Sequence, residues 1–114
     1  MWDDYNINPG EYTIVKREVK IRIRKRHIDD RLLAGKLHLT NKRLFYKPFT
    51  RQKKYYRTIF LEDINMIEQI FIWKHKYGIR VDVADDEPVE FYTGRGPQKK
   101  WVVEIAEAIN ENVE

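Results

Sequence analysis

The chain has 114 residues, 22 Lys/Arg against 18 Asp/Glu, and no cysteine. A single domain of that length buries roughly 60–70% of its unfolded surface without staples, and the absence of Cys excludes disulfides and thiolate chemistry. No run of about 18 apolar residues is present, so no segment reads as a membrane span.

The opening MWDDYNINPGEY is acidic and polar where a signal peptide needs a basic start and an apolar stretch, so a cytoplasmic protein is expected. The net charge of +4 conceals an asymmetry. Residues 16–57 hold sixteen Lys/Arg against three Asp/Glu, whereas residues 58–114 hold six against twelve. Such a division suits an anionic partner, although alternating strands also need a solvated face and Lys/Arg supply it.

In chain order, VKREVKIRIRK alternates with period two: Val15, Val19, Ile21 and Ile23 share one face, and Lys20, Arg22 and Arg24 the other. RHIDDRL breaks the pattern as a loop. LLAGKLHLT then places Leu33, Leu37 and Leu39 together with Lys36, His38 and Thr40 opposite. Asn41-Lys42 reads as a tight turn, because Asn tolerates positive φ, and Arg43 to Lys47 returns as a third strand. After Pro48 and a basic turn, YYRTIFL is a fourth strand rich in β-branched and aromatic residues. A turn at Glu62-Asp63 leads to a fifth strand ending at Trp73, Ile79, Val81 and Val83 mark a sixth, and PVEFYT follows the acidic ADDEP turn as a seventh.

The period then changes. Beyond Gly94, Gly96 and Pro97, Trp101, Val102, Ile105, Ile109 and Val113 form a helical stripe, with Glu104, Glu107 and Glu111 on the other side. The fold class expected is mainly β with one C-terminal amphipathic α-helix, in a single domain over residues 1–114 that suits either a stand-alone protein or the N-terminal domain of a longer one.

Local sequence narrows the choice among small β-folds. Asn8-Pro9-Gly10-Glu11 resembles the "PGE" start of GRAM-type domains. Gly35-Lys36-Leu37-His38-Leu39-Thr40-Asn41-Lys42-Arg43-Leu44-Phe45-Tyr46 resembles their central G-x-L-x-L-T-x-x-R-L hairpin, and Ile59 to Ile64 their following strand exit. The order of an N-terminal Trp, a PGE start, Val19-x-Ile21 and AGKLHLTNKRLFY is also similar to GLUE domains, the split-PH variants at the start of an ESCRT-II subunit. The resemblance implies a PH-like seven-stranded β-sandwich or barrel capped by its helix. It also implies a binding module of protein transport: GLUE domains bind ubiquitin and some bind phosphoinositides. In this reading Leu37, Leu39, Leu44 and Phe45 or Tyr46 feed the core, and Gly35 permits a bulge or a close backbone approach. A stand-alone GRAM-type domain on an anionic membrane or a protein partner, with no ubiquitin role, is the alternative.

No catalytic or cofactor constellation accompanies the motifs. His27, His38 and His75 are far apart with no zinc-type spacing. Glu62-Asp63 and Asp85-Asp86-Glu87 lack the alternating oxygen ligands of a calcium loop, and Gly94-Arg95-Gly96 lacks the rest of a phosphate loop. A non-enzymatic protein without metal or cofactor is expected.

Two binding surfaces are expected instead. Loops after odd-numbered strands of an up-and-down sheet open at one end. That would gather Arg24, Arg26 and His27, then Lys53 and Lys54 with Arg51, then Lys74 and Lys76, into a basic rim for anionic head groups. In MIEQIFIW, Ile70 and Ile72 face one way and Phe71 and Trp73 the other, so both faces are apolar at one level. The helix, the N-terminal segment (Trp2, Tyr5) or a partner must cover them. Ubiquitin would meet these residues, with acidic side chains such as Glu107 and Glu111 complementing its basic rim. Nucleic acid is the weakest reading: Tyr46, Phe49, Tyr55 and Tyr56 lie in the basic half, but without a recognised motif.

Overall fold

Val19 and Ile21 are each 3% exposed while Lys20 between them faces solvent, as the alternation requires. The computed structural model describes residues 6–24, 30–50, 53–73 and 76–112. Trp2, Tyr5, Arg26, His27, Arg51, Lys74, His75 and Val113 lie outside the described residues, as do the side chains of Arg24, Ile72 and Trp73.

Seven strands precede one helix: β1 (Thr13–Arg24), β2 (Asp30–Thr40), β3 (Arg43–Pro48), β4 (Arg57–Phe60), β5 (Ile64–Trp73), β6 (Lys76–Val83), β7 (Val89–Tyr92) and α1 (Arg95–Asn112). They form one antiparallel sheet in the order β4-β3-β2-β1-β7-β6-β5, so β1 is central and β4 and β5 are its edges. Helix α1 lies over β5, β6 and the 3-10 turn Leu61–Asp63. Trp101, Ile105 and Ala108, spaced three and four apart and hence on one helical face, enter the core beside Leu37, Leu39, Leu44, Tyr46, Ile79 and Phe91.

Several boundaries move for local reasons. The fourth strand is shorter than expected, because Lys53–Tyr55 closes a 3-10 turn with Tyr56 N–H donating to Lys53 O at 3.0 Å. The second strand starts at Asp30, where a loop was expected, because β1 pairs with it as far as Arg24↔Asp30. The helix starts at Arg95, so Arg95 and Gly96 belong to its first turn and not to a preceding loop. Gln98 N–H reaches Gly94 O at 3.2 Å, and Pro97 sits where a missing N–H costs nothing.

Of the two aromatic candidates on β3, Tyr46 is the core residue, and its hydroxyl donates to Leu33 O at 2.5 Å. Phe45 is buried on the opposite face, between the stacked His38 ring at 4.4 Å and the Arg43 guanidinium at 4.4 Å. Thr40 shares that face, which was expected to be solvated, yet it is fully buried. Gly35 is a close approach and not a bulge. Pairing with β1 runs through it unbroken, and a Cβ there would stand 2.5 Å from Lys47 O and 2.6 Å from Tyr46 Oη.

Candidate functional site

The two motifs that carried the family resemblance meet in space. Glu11 Oε2 accepts from Thr40 Oγ1 at 2.6 Å and from Arg43 Nε at 2.9 Å, and its Oε1 accepts from Asn8 N–H at 3.1 Å. Arg43 also donates to Asn6 O at 2.8 Å. Asn41 bridges the same two segments, accepting from Tyr12 N–H at 2.8 Å and donating to Gly10 O at 3.1 Å. Burial pushes the Glu11 carboxyl pKa up. Hydrogen bonds from Arg43, Thr40 and Asn8 outweigh that and hold it below its ordinary value. These residues fasten the N-terminal segment onto the β2–β3 hairpin, so their role is architectural.

The expected basic rim divides between two ends of the sheet. Ile21 pairs with Phe91, Ile79 with Phe91 and Val81 with Val89, so the end of β1, the start of β7 and the end of β6 lie together. The β1–β2, β3–β4 and β6–β7 connections open at that end, and the β5–β6 connection opens at the other. The parity rule fails because seven strands that reversed at every step would bring β1 and β7 together in parallel, whereas they pair antiparallel. The step from β4 to β5 through Leu61–Asp63 therefore shifts the count by one.

Lys53 and Lys54 are exposed in the β3–β4 connection, at the same end of the sheet as the finish of β1. Lys76 belongs to the opposite end, where its Nζ lies 5.1 Å from the Tyr92 ring; Lys74, which was expected beside it in the rim, lies outside the described residues. The place of the third basic loop is taken by the acidic β6–β7 turn. A cleft at this end is lined by Lys54 and Arg57 but also by Asp86, Glu87 and Glu90. Arg22 and Arg80 nearby are tied to Glu90 at 3.0 and 3.4 Å, and Arg80 to Glu68 at 2.9 Å. The acidic turn was visible in the sequence, but its location depends on the strand count.

The apolar strand is β5, an edge of the sheet. Ile70 pairs with Gly78 and is half-buried. Phe71 pairs with Tyr77, is 70% exposed, and lies 5.1 Å from the Tyr77 ring, which has the Arg95 guanidinium 5.7 Å away. Met66 on the same strand is 49% exposed. Gln98 anchors α1 here: its side-chain amide donates to Ile70 O at 2.9 Å and Gly78 O at 2.8 Å. Glu107 and Glu111 are exposed on α1. At a rise of about 1.5 Å per residue they stand roughly 14 and 20 Å along the helix from Gln98, so they flank the apolar patch and do not border it.

Among the described residues no group of three or more His, Asp or Glu side chains is arranged to hold a metal ion, and no helix is long and apolar enough to cross a membrane.

No family model and no curated protein sequence matches the chain. Solved structures do. The Vps36 N-terminal PH domain is similar with a TM-score of 0.70 at 12% identity, over 95% of this chain and 86% of that one. The fold is PH-like. The C-terminal domain of an unknown protein from Leishmania infantum is similar at a TM-score of 0.68 and 13% identity, over 89% of this chain and 86% of that one. The PDZ-RhoGEF DH/PH domains, solved in complex with activated RhoA, are similar at 0.64 and 15% identity, over 90% of this chain and 30% of that longer one. At such identities the likeness establishes the PH-like architecture, and ligands must be argued from this chain's own surfaces.

Proposed function

We propose that this PH-like domain is a non-enzymatic docking module of an ESCRT-II-like assembly that binds ubiquitin through β5 and the flank of α1. The observation that carries the reading is Phe71, 70% exposed on an edge strand beside Tyr77 and on the same strand as exposed Met66. Phe71 is the most exposed large apolar side chain among the described residues, ahead of Tyr12 at 57% and Phe49 at 56%, and an aromatic so placed suits a hot spot that a partner desolvates. The resemblance to GLUE domains and the similarity to the Vps36 PH domain favour ubiquitin, and exposed Glu107 and Glu111 suit its basic rim. Titrating the 15N-labelled chain with ubiquitin tests this. Amide shifts are expected at Ile70, Phe71, Ile72 and Trp73 and along α1; no movement there at millimolar ubiquitin refutes it.

A second reading rests on Lys53 and Lys54, both exposed at the end of the sheet where β1 finishes, with Arg24 and Arg26 the candidates that the sequence adds. These four would hold an anionic membrane surface at about 1 kcal/mol per cation, placing the domain at the cytoplasmic face of a membrane. Lys76 contributes nothing to such a site from the opposite end. Reversing the charge of Lys53 and Lys54 should reduce sedimentation with anionic liposomes at low salt. Unchanged sedimentation removes the reading.

A further inference from the structure

The face of the sheet turned away from the core carries two ranks of side chains. In the first, Ala34, Lys20, Tyr92 and Gly78 are register neighbours across β2, β1, β7 and β6. Phe49 joins this rank beside Ala34, whose carbonyl accepts from its N–H at 3.1 Å, and its ring is exposed. The second rank lies two residues along each strand. Lys47 and Lys36 pair across β3 and β2, Glu18 stands opposite Lys36 on β1, and Lys76 holds the same level on β6. A rank with two aromatic rings thus runs beside a rank of cations. The rings of Phe49 and Tyr92 belong to strands three spacings apart, about 14 Å.

Folding does not account for these charges. Among the described residues no carboxylate, Glu18 included, lies within ion-pair reach of Lys20, Lys36, Lys47 or Lys76. Lys36 and Lys47 stand directly opposite each other, and like charges so placed destabilise a sheet. Their field reaches His38 on the next level, whose pKa is pushed down to about 4 by burial first and then by Lys47, Lys16, Lys36 and Arg43. Two residues the other way along the same face, Arg22, Glu90, Arg80 and Glu68 neutralise one another. The excess of positive charge is therefore local to the two ranks. The Lys20 and Lys76 ammonium groups lie 5.9 and 5.1 Å from the Tyr92 ring, near the outer limit of cation–π contact. From there they can pass to a phosphate and leave the ring to a base.

We propose that this outer face binds a short run of single-stranded nucleic acid laid across the strands, with phosphates on Lys47, Lys36, Lys20 and Lys76 and bases on Phe49 and Tyr92. About four bases stacked at about 3.4 Å each span the distance between the two rings. Stacking on aromatic side chains beside a cationic track is how sequence-tolerant single-strand binding works in general. A duplex would hide its base faces from the rings. A membrane would need rings that protrude, whereas Tyr92 is half-buried between two lysines. Of the aromatics in the basic half, Tyr46 and Tyr55 are buried and Phe49 serves; the second ring comes from β7, in the acidic half. The site uses none of the residues assigned to ubiquitin and stands whether or not ubiquitin binds.

The test is fluorescence anisotropy of an end-labelled thymidylate octamer titrated with the full chain at low salt. Saturable binding is expected, weakening with salt at a log–log slope of about −3, as four neutralised phosphates require. Lys36→Glu combined with Lys47→Glu should weaken binding at least tenfold while leaving thermal unfolding unchanged. Lys53→Glu combined with Lys54→Glu, at the other end of the domain, should change it less than about twofold. Phe49→Ala should weaken the octamer about tenfold, the loss of one stacked base, and leave an abasic octamer of equal charge unaffected. An anisotropy unmoved at millimolar protein overturns the proposal. So do equal affinities for the thymidylate and abasic octamers, or equal losses from the two charge reversals. Binding to phosphatidylserine vesicles through Lys36 and Lys47, with none to the octamer, would overturn it in favour of a membrane.

Discussion

Arg43 donates through Nε to Glu11 Oε2 at 2.9 Å, and both side chains are withdrawn from solvent, at 0% and 1% exposure. The pair joins a segment that precedes the first strand to the first residue of the third, 32 residues away. Burying two charges is costly, and here the Thr40 hydroxyl and Asn8 amide share the compensation. Glu11→Gln should cost about 3–5 kcal/mol, because it strands the Arg43 charge in the interior. Chemical denaturation checks this, and a loss under about 1 kcal/mol would mean that water reaches the guanidinium.

The same pair sets one window of acid sensitivity. The native pKa of Glu11 is depressed, so its stabilising contribution is complete above the ordinary value of 4.5 and disappears as pH falls through the native value. Stability of the wild type should drop steeply below about pH 4.5, and Glu11→Gln should flatten that limb.

His38 governs a higher window. Burial first, then Lys47, Lys16, Lys36 and Arg43, push its pKa down to about 4 from 6.5. Between those values the unfolded chain takes a proton that the native imidazole refuses, so stability falls as pH drops from 6.5 to about 4 and no further below it. NMR titration should find a neutral His38 ring at every pH above 5, and His38→Gln should remove the slope in that range.

Gly35→Ala tests the β2–β3 contact. The new Cβ would meet Lys47 O at 2.5 Å, Tyr46 Oη at 2.6 Å and Pro48 Cα at 2.7 Å, two of them backbone atoms that cannot swing aside. A loss of about 1–3 kcal/mol is expected, with displaced amide resonances along β3. Unaltered thermal unfolding would show that the hairpin has slack.

Phe71→Ala separates binding from folding. Phe71 contributes little to the core at 70% exposure, so stability should change by no more than about 0.5 kcal/mol. If β5 is the docking edge, ubiquitin affinity should fall about thirtyfold, the loss of a hot spot of about 2 kcal/mol. Calorimetric titration reads both arms, and a variant that binds as well as wild type places the partner elsewhere.

Periodicity located every strand and the helix because one face of each element is buried against a common core. A stripe such as Val19 and Ile21, or Trp101 and Ile105, records that face directly. Boundaries were less legible. Tyr55 and Tyr56 have strand-forming side chains, yet the chain at Lys53–Tyr55 turns, a competition that propensity cannot settle. Alternation also misread Thr40, since its polar side chain was expected in water and is instead covered by Glu11.

The sequence by itself determined the secondary-structure order, most of the core and the PH-like resemblance. It also determined that Phe71 and its neighbours leave apolar side chains on both faces of one strand. All of these are properties of short stretches, legible in the spacing of side chains a few residues apart. Only the tertiary structure decided which loops share an end, because that depends on how β1 and β7 pair at the middle of the sheet. Only it brought Glu11 to Arg43 and placed the acidic β6–β7 turn beside Lys54. Those relationships join residues tens of positions apart, and no local pattern encodes them.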